Sequence, residues 1–353
     1  MLGGGEYSFL DLLIHLPKEW KPYAALPMQG ELKARLNEKA IPSHIVPLIP
    51  IRPWRIPQML LAIRKCVQLA SSLRPSLIYA NGSRAAFYAG IAGRLLGRPV
   101  VWHCRITEPD PYLDPLLLRL CTVVVANSHA TSRRFVPRFK TKVRVVYNGI
   151  DIQHLKDPSV EKIHPFTGQC KLLLVVAGIH RSKRHDIILS AFEEVAHLDP
   201  TLHLALIGRK ENSELEWWSH LQETTRRSVF ADRIHWLGTV EDPRPWYRAA
   251  WVLILASESE SFGRVLVEAM GSGTPVIATK VGGIPEIVRH GQEGLLVSSG
   301  NLEQLAGAIK RLLKEQDLRM RLAQAAVRRA EFFGIDLHIQ NMLKVFDEVC
   351  QPV

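Results

Sequence analysis

The sequence predicts an alternating α/β protein with two doubly wound parallel sheets, and three observations support this. Short apolar runs recur along the chain with helical segments between them. At 353 residues the chain is too long for one typical core. A polar, proline-bearing stretch, Asp157 to Gln169, divides the runs into two sets. The expected architecture is two Rossmann-like domains, residues 1–165 and 166–333, facing a cleft, with a last helical segment over 334–353.

Leu77 to Ala80 is a short apolar strand, followed by a helix from Ser83 to Leu96 that Gly97 closes. Pro99 to Trp102, Val123 to Ala126 and Val143 to Tyr147 read as further strands. The second half repeats the theme at Leu172 to Ala177, His203 to Ile207, Ile234 to Trp236, Trp251 to Leu255 and Val276 to Ala278. The final helix is expected at about Leu337 to Val349. No short internal repeat is visible.

Hydrophobic residues make up 47% and charged residues 22%, as in an ordinary globular protein. No apolar run approaches the roughly eighteen residues of a membrane-spanning helix. No charged segment leading into an apolar stretch opens the sequence, so a cytoplasmic location is expected, with the cytoplasmic face of a membrane as the second option. The five cysteines are scattered and form no Cys-x-x-Cys pair, which fits reduced thiols rather than disulfides or zinc. The net charge of +11 is uneven. Residues 1–165 hold 23 basic and 11 acidic side chains, and residues 166–353 hold 22 and 23. Ten basic residues and no acidic one lie between Glu38 and Glu108. The N-terminal half is therefore expected to face something anionic. Nucleic acid is disfavoured because no recognised nucleic-acid-binding motif accompanies the charge.

The most informative stretch is Ser257 to Met270. It follows an apolar strand and runs into a helix from Arg264, so Glu260 sits in the strand-to-helix loop and Glu268 about two turns into the helix. In open parallel sheets such loops lie at the strand carboxyl ends, where ligands bind. The helix end offers N–H groups to an anion. Two carboxylates so placed suit a polyhydroxylated ligand carrying phosphates. A second loop, Ala177 to Arg184, also joins a strand to a helix and carries Arg181, Lys183 and Arg184. Gly3, Gly4 and Gly5 form a third candidate, since residues without Cβ let backbone approach a phosphate. A dinucleotide-dependent dehydrogenase is disfavoured, because no Gly-x-Gly-x-x-Gly follows a strand.

Glu260 to Glu268 resembles the Glu-x7-Glu signature of retaining family-four glycosyltransferases, which have the GT-B fold. The likeness continues through Gly271 to Thr279, Val281 to Val288, Gly291 to Val297 and, upstream, Val145 to Asp151 and Leu2 to Glu6. It implies a nucleotide diphosphate sugar donor, a UDP- or GDP-sugar or another, used as substrate with no cofactor. Glu268 would hold the ribose hydroxyls and Glu260 the transferred sugar. Backbone N–H groups of Phe262, Gly263 and Arg264 would face the sugar or phosphate. Gly3, Gly4 and Gly5 would approach the β-phosphate, and His103 would lie near the donor sugar. His103 also reads as a satisfied polar residue at a strand end. Lys183 falls on the lysine of the family's phosphate loop, while the family's arginine falls on Gly178, with Arg181 or Arg184 as substitutes. Ser261 replaces a glycine of the family loop, at a cost if that position needs positive φ. Asn148 to Asp151 resembles a domain-junction turn with an unusual glycine conformation. The C-terminal helix of such folds crosses back to the first domain. No Asp-x-Asp ends a strand, which favours metal-independent chemistry.

Gly3-Gly4-Gly5 lies almost at the first residue, so the family's first strand is missing. The expectation is that the natural start lies upstream, that the gene is truncated, or that another segment fills the slot. The acceptor is expected to be a glycan, a lipid-linked sugar or a small molecule, in cell-surface polysaccharide or glycolipid synthesis. Arg52, Trp54 and Arg55, followed by the apolar and basic helix Met59 to Ala70, suit an anionic membrane surface or a proline-rich connection packed on the first domain. Two other readings stay open: a catalytically impaired sugar-nucleotide binder, and a sugar-nucleotide epimerase of the same fold.

Overall fold

The computed structural model describes residues 2–135, 137–161, 163 and 170–350. The chain forms two compact units, Met1–Gly149 with Ile335–Val353, and Ile150–Gly334. The strands of the first unit are β1 Ala24–Leu26, β2 Ser43–Ile45, β3 Ile78–Asn81, β4 Val100–Cys104, β5 Val123–Ala126 and β6 Val143–Val145. Those of the second are β7 Lys171–Val176, β8 Leu202–Ile207, β9 Ile234–Gly238, β10 Ala250–Leu255, β11 Val276–Thr279 and β12 Gly294–Val297. All paired strands run parallel.

In the first unit β3-β4-β5-β6 form one sheet and β1-β2 another. Among the described residues no strand joins these two sheets, so none takes the place of the expected first strand. The helix Gly4–His15 packs against β3: Phe9 stacks on Tyr79 at 6.0 Å, and Asn81 Nδ2 donates to the Gly5 carbonyl at 3.1 Å. Strand alternation splits the core into two layers. Val100, Trp102 and Cys104 join Phe87, Tyr88, Leu117 and Leu118 on one face. Val101, Val123 and Val125 meet Leu12, Ile339, Met342 and Phe346 on the other. The C-terminal helix Ile335–Cys350 thus belongs to the first unit.

In the second unit the sheet order is β12-β11-β10-β7-β8-β9. Leu173, Val175, Leu204, Val252 and Ile254 form one buried face with Ile188, Phe192, Ile309 and Leu312. The alternate residues Leu172, Leu174, Leu253 and Leu255 are also buried, as expected for a sheet covered on both sides.

The units part after Gly149, not at residue 165 as the sequence suggested. Asp151 caps the helix Ile152–Lys156, accepting from the His154 N–H at 2.9 Å, and Ile152 and Leu155 are buried against Gly271 of the second unit. Positions 162 and 164–169 of the expected linker, and 351–353 of the expected last helix, lie outside the described residues.

His185 opens the helix His185–Val195 fully buried, 6.0 Å from the Trp236 ring, and neither ring nitrogen has a hydrogen-bond partner. Burial, with Lys183 adding to it, pushes its pKa down to about 4 from 6.5. The unfolded chain therefore binds a proton that the folded chain refuses between these values. Stability is complete above 6.5 and falls as pH drops toward 4, by about 3 kcal/mol from this group. His185→Leu should keep stability at pH 7 and flatten the fall between pH 6.5 and 4 in denaturant titrations. An unchanged slope would refute the assignment.

Candidate functional site

The strand order of the second unit reverses between β7 and β10, which are neighbours although β8 and β9 separate them in the chain. The loops leaving their carboxyl ends therefore run side by side and then diverge into different connections, which is where open α/β sheets bind ligands. These are the loops singled out in the sequence, the cationic Ala177–Arg184 and the Ser257–Gly263 run. The Glu258 N–H donates to the Ser182 carbonyl at 2.8 Å and ties them together. Across this tie Lys183 forms a part-buried ion pair with Glu260. Ser257 Oγ also donates to Glu260, at 3.0 Å.

Gly263, at φ +97°, caps the helix Arg264–Gly271. Arg264 Nε donates to Glu268 Oε1 at 2.7 Å, and the buried Tyr247 hydroxyl donates to Oε2 at 2.8 Å. Both oxygens of Glu268 are thereby oriented. Phe262 buries its ring edge-on against Phe333 at 5.6 Å, which anchors the loop. Ser261 does not have positive φ, so the strain weighed for a serine there is absent. The strained residue is Arg184, at φ +50°.

Neither substitute for the family arginine is an idle cation. Arg184 Nη2 lies 2.9 Å from Asp186 and Nη1 2.9 Å from Glu258. Arg181 lies 3.6 Å from Glu214 and over the Trp217 ring at 4.9 Å, where it lines a cavity of about 390 Å³ with Ser213, Leu215 and Glu216. Gly178 itself is uncrowded. Among the described residues no group of three or more His, Cys, Asp or Glu side chains is arranged to hold a metal.

In the first unit Gly4 and Gly5 form the first turn of a helix rather than an open loop, and Gly3 caps it. Glu6 accepts from the Gly3 N–H at 2.8 Å. His103 lies within β4, completely buried, so its ring does not line a surface. Tyr79 Oη lies 2.6 Å from Nδ1, and Nε2 has no partner. Burial, reinforced by Arg105 and His338, holds the ring neutral, well below its ordinary pKa. Gly149 does not have positive φ. It is glycine because a Cβ would lie 2.6 Å from His338 Cβ, a close approach rather than an unusual turn.

Sequence reasoning missed Tyr247, Ser257 and Arg105. Ser257 stands three residues before Glu260, within reach of a local hydrogen bond. Tyr247 carries no motif. Arg105 joins four side chains: Nε donates to Asn81 Oδ1 at 2.6 Å, Nη1 to Asn148 Oδ1, and Nη2 lies 3.4 Å from both Tyr79 Oη and His103 Nδ1.

Arg105→Met should leave Asn81 and Asn148 underserved and cost about 2–4 kcal/mol in denaturant unfolding. Arg105→Lys should recover only part, since one ammonium cannot serve the fork. Equal stability of all three would exclude a linking role. Gly282 has φ +50°, and a Cβ there would lie 1.8 Å from the Glu260 carbonyl oxygen. Gly282→Ala should lower stability by about 2–4 kcal/mol, as the left-handed backbone and the collision add. A thermal midpoint equal to that of the parent would rule out this close approach.

Residues 2–154 match the family model described as Glycosyltransferase Family 4, and residues 170–315 match that described as Glycosyl transferases group 1. A D-inositol 3-phosphate glycosyltransferase of Frankia alni is 33% identical over 224 residues, covering 60% of this chain and 54% of that protein. One of Streptomyces bingchenggensis is 37% identical over 172 residues, covering 47% and 38%. This chain thus spans about half or less of the length of these relatives. Among solved structures, the Anabaena HepE protein in complex with UDP superposes with a TM-score of 0.84 at 25% identity, over 98% of this chain and 96% of that one. A glycosyltransferase of Rickettsia africae reaches a TM-score of 0.86 at 18% identity, over 100% and 97%, a likeness of fold. The two matched models account for most of the sequence, and the Glu-x7-Glu element lies at the reversal of a parallel sheet: the chain belongs to the family-four glycosyltransferases of the GT-B fold.

Proposed function

We propose that this protein is a retaining glycosyltransferase that takes a sugar from a UDP-sugar and places it on an acceptor carrying negative charge. The observation that carries the reading is the junction of the two loops at the β7–β10 reversal, where Lys183 meets Glu260 and Arg264 and Tyr247 fix Glu268. Lys183 has the charge and position to leave Glu260 for a diphosphate oxygen. Glu260, released, accepts from the sugar hydroxyls. Glu268, held at both oxygens, presents the remaining lone pairs to a ribose diol. As the bond between the anomeric carbon and the phosphate oxygen breaks, its electron pair stays on UDP. The helix end at Gly263 and the Lys183 ammonium offset the charge that develops there, so no metal is invoked. The acceptor oxygen then bonds to the anomeric carbon on the face UDP leaves, and its proton passes to the departing phosphate. In the first unit, Gly4 and Gly5 offer the N–H groups of a helix start to an anion, while the Gly3 N–H is taken by Glu6. His103, being buried and neutral, acts by positioning Tyr79 and Arg105.

UDP is favoured as the nucleotide by the UDP bound to the Anabaena protein. A small phosphorylated polyol is supported as acceptor by the names of the inositol phosphate relatives, and the basic first 165 residues suit that charge. A role in cell-surface glycan assembly extends the same reading to an anionic lipid-linked acceptor.

A thermal-shift series with UDP, GDP and ADP tests the donor site. UDP alone should raise the midpoint, following occupancy, and the shift should vanish in Glu268→Ala. A shift with GDP instead would replace the nucleotide, and no shift with any of them would overturn the donor site. Lys183→Ala should lower kcat by about a hundredfold or more, as when an oxyanion donor is removed.

A further inference from the structure

We propose that the outer face of the helix Ile56–Leu73, together with the turn Pro53–Arg55 before it, docks on an anionic lipid bilayer. The proposal does not depend on the donor chemistry. The inner side of this helix is accounted for, with Ala62 buried and Met59, Ile63 and Cys66 packed on the core beside the helix Ser83–Leu96. The outer side is not. Trp54 is 71% exposed, Ile56 53%, Leu60 60% and Leu61 56%, four large apolar side chains within eight residues. Helical spacing puts Ile56 and Leu60 one turn apart, with Leu61 beside them. Exposed cations rim the group, Arg52 and Arg55 at its start and Arg64 and Lys65 one turn on. The Arg52 guanidinium lies 5.6 Å over the Trp54 ring.

The charge pattern selects the occupant. No acidic residue occurs between Glu38 and Glu108, so sequence neighbours do not neutralise these cations. A patch with apolar centre, indole and basic rim matches the depth profile of a bilayer surface: hydrocarbon, then the headgroup boundary preferred by tryptophan, then anionic phosphates. No described helix is long and apolar enough to cross a membrane, so this one would lie along the surface.

The full chain should be floated with vesicles of phosphatidylglycerol and phosphatidylcholine, and with phosphatidylcholine alone. Binding is expected only with the anionic lipid and should weaken as salt rises. Trp54→Ser with Leu60→Ser and Leu61→Ser should reduce partition by about tenfold or more, and so should Arg52→Gln with Arg55→Gln, Arg64→Gln and Lys65→Gln. A control of equal charge change on the second unit, Arg226→Gln with Arg227→Gln, Arg311→Gln and Arg328→Gln, should bind like the parent. Melting temperatures matching the parent would establish that the variants fold. Four results would overturn the proposal: no binding by the parent, equal binding to neutral vesicles, an apolar variant that binds like the parent, or a control that loses as much as the patch variants. Self-association abolished by the apolar variant would also overturn it, by assigning the face to a second copy of the chain.

Discussion

The reversal of strand order between β7 and β10 is the constraint on which the second unit's chemistry depends. Two neighbouring parallel strands send their loops to different connections, leaving a gap over the sheet that no backbone fills. Into that gap the chain directs a lysine from one loop and a glutamate from the other. The backbone bond from Glu258 to Ser182 holds the loops in register. The close approach of Gly282 to the Glu260 carbonyl, with the Gly283 N–H donating to that oxygen at 2.9 Å, fixes the loop from the far side.

A second theme is internal compensation. Lys183, Arg181, Arg184 and Arg264 each lie against a carboxylate. The partly buried charges of Lys183, Arg184 and Arg264 need such partners, because an uncompensated one carries a desolvation cost of several kcal/mol. On the proposed reading, an entering diphosphate would exchange ion pairs rather than find bare cations. That exchange favours a ligand able to satisfy Lys183 and Glu260 together, with phosphate for one and hydroxyls for the other. Arg184 combines a backbone at positive φ with side-chain ion pairs to Asp186 and Glu258.

The first unit treats its polar and charged residues in two ways. Inside, Arg105 gathers Asn81, Asn148, Tyr79 and His103 into a network connected to the Gly5 carbonyl through Asn81. Outside, along the acid-free stretch, the cations stand beside exposed apolar side chains. The network positions the start of the first helix and the end of β4. The outer face is where we place the bilayer contact.

The sequence by itself determined the alternating architecture, most strand positions, the loop placement of Glu260 and Lys183, and the helical placement of Glu268. These follow from local periodicity, because a short apolar run beside a helical pattern has few other ways to bury itself. Tertiary structure decided what local patterns do not encode. Tyr247 reaches Glu268 across 21 positions, and Arg105 reaches Asn148 across 43. The unit boundary moved to Gly149 because Ile152 and Leu155 are buried with the second core, a packing preference that composition does not record. His103 reads as a strand-end residue, near a donor sugar by the family resemblance, but pairing of β4 with both β3 and β5 and the His338 ring of the C-terminal helix at 6.3 Å enclose it. Which face of a strand is covered depends on residues more than two hundred positions away, and only the folded chain brings them there.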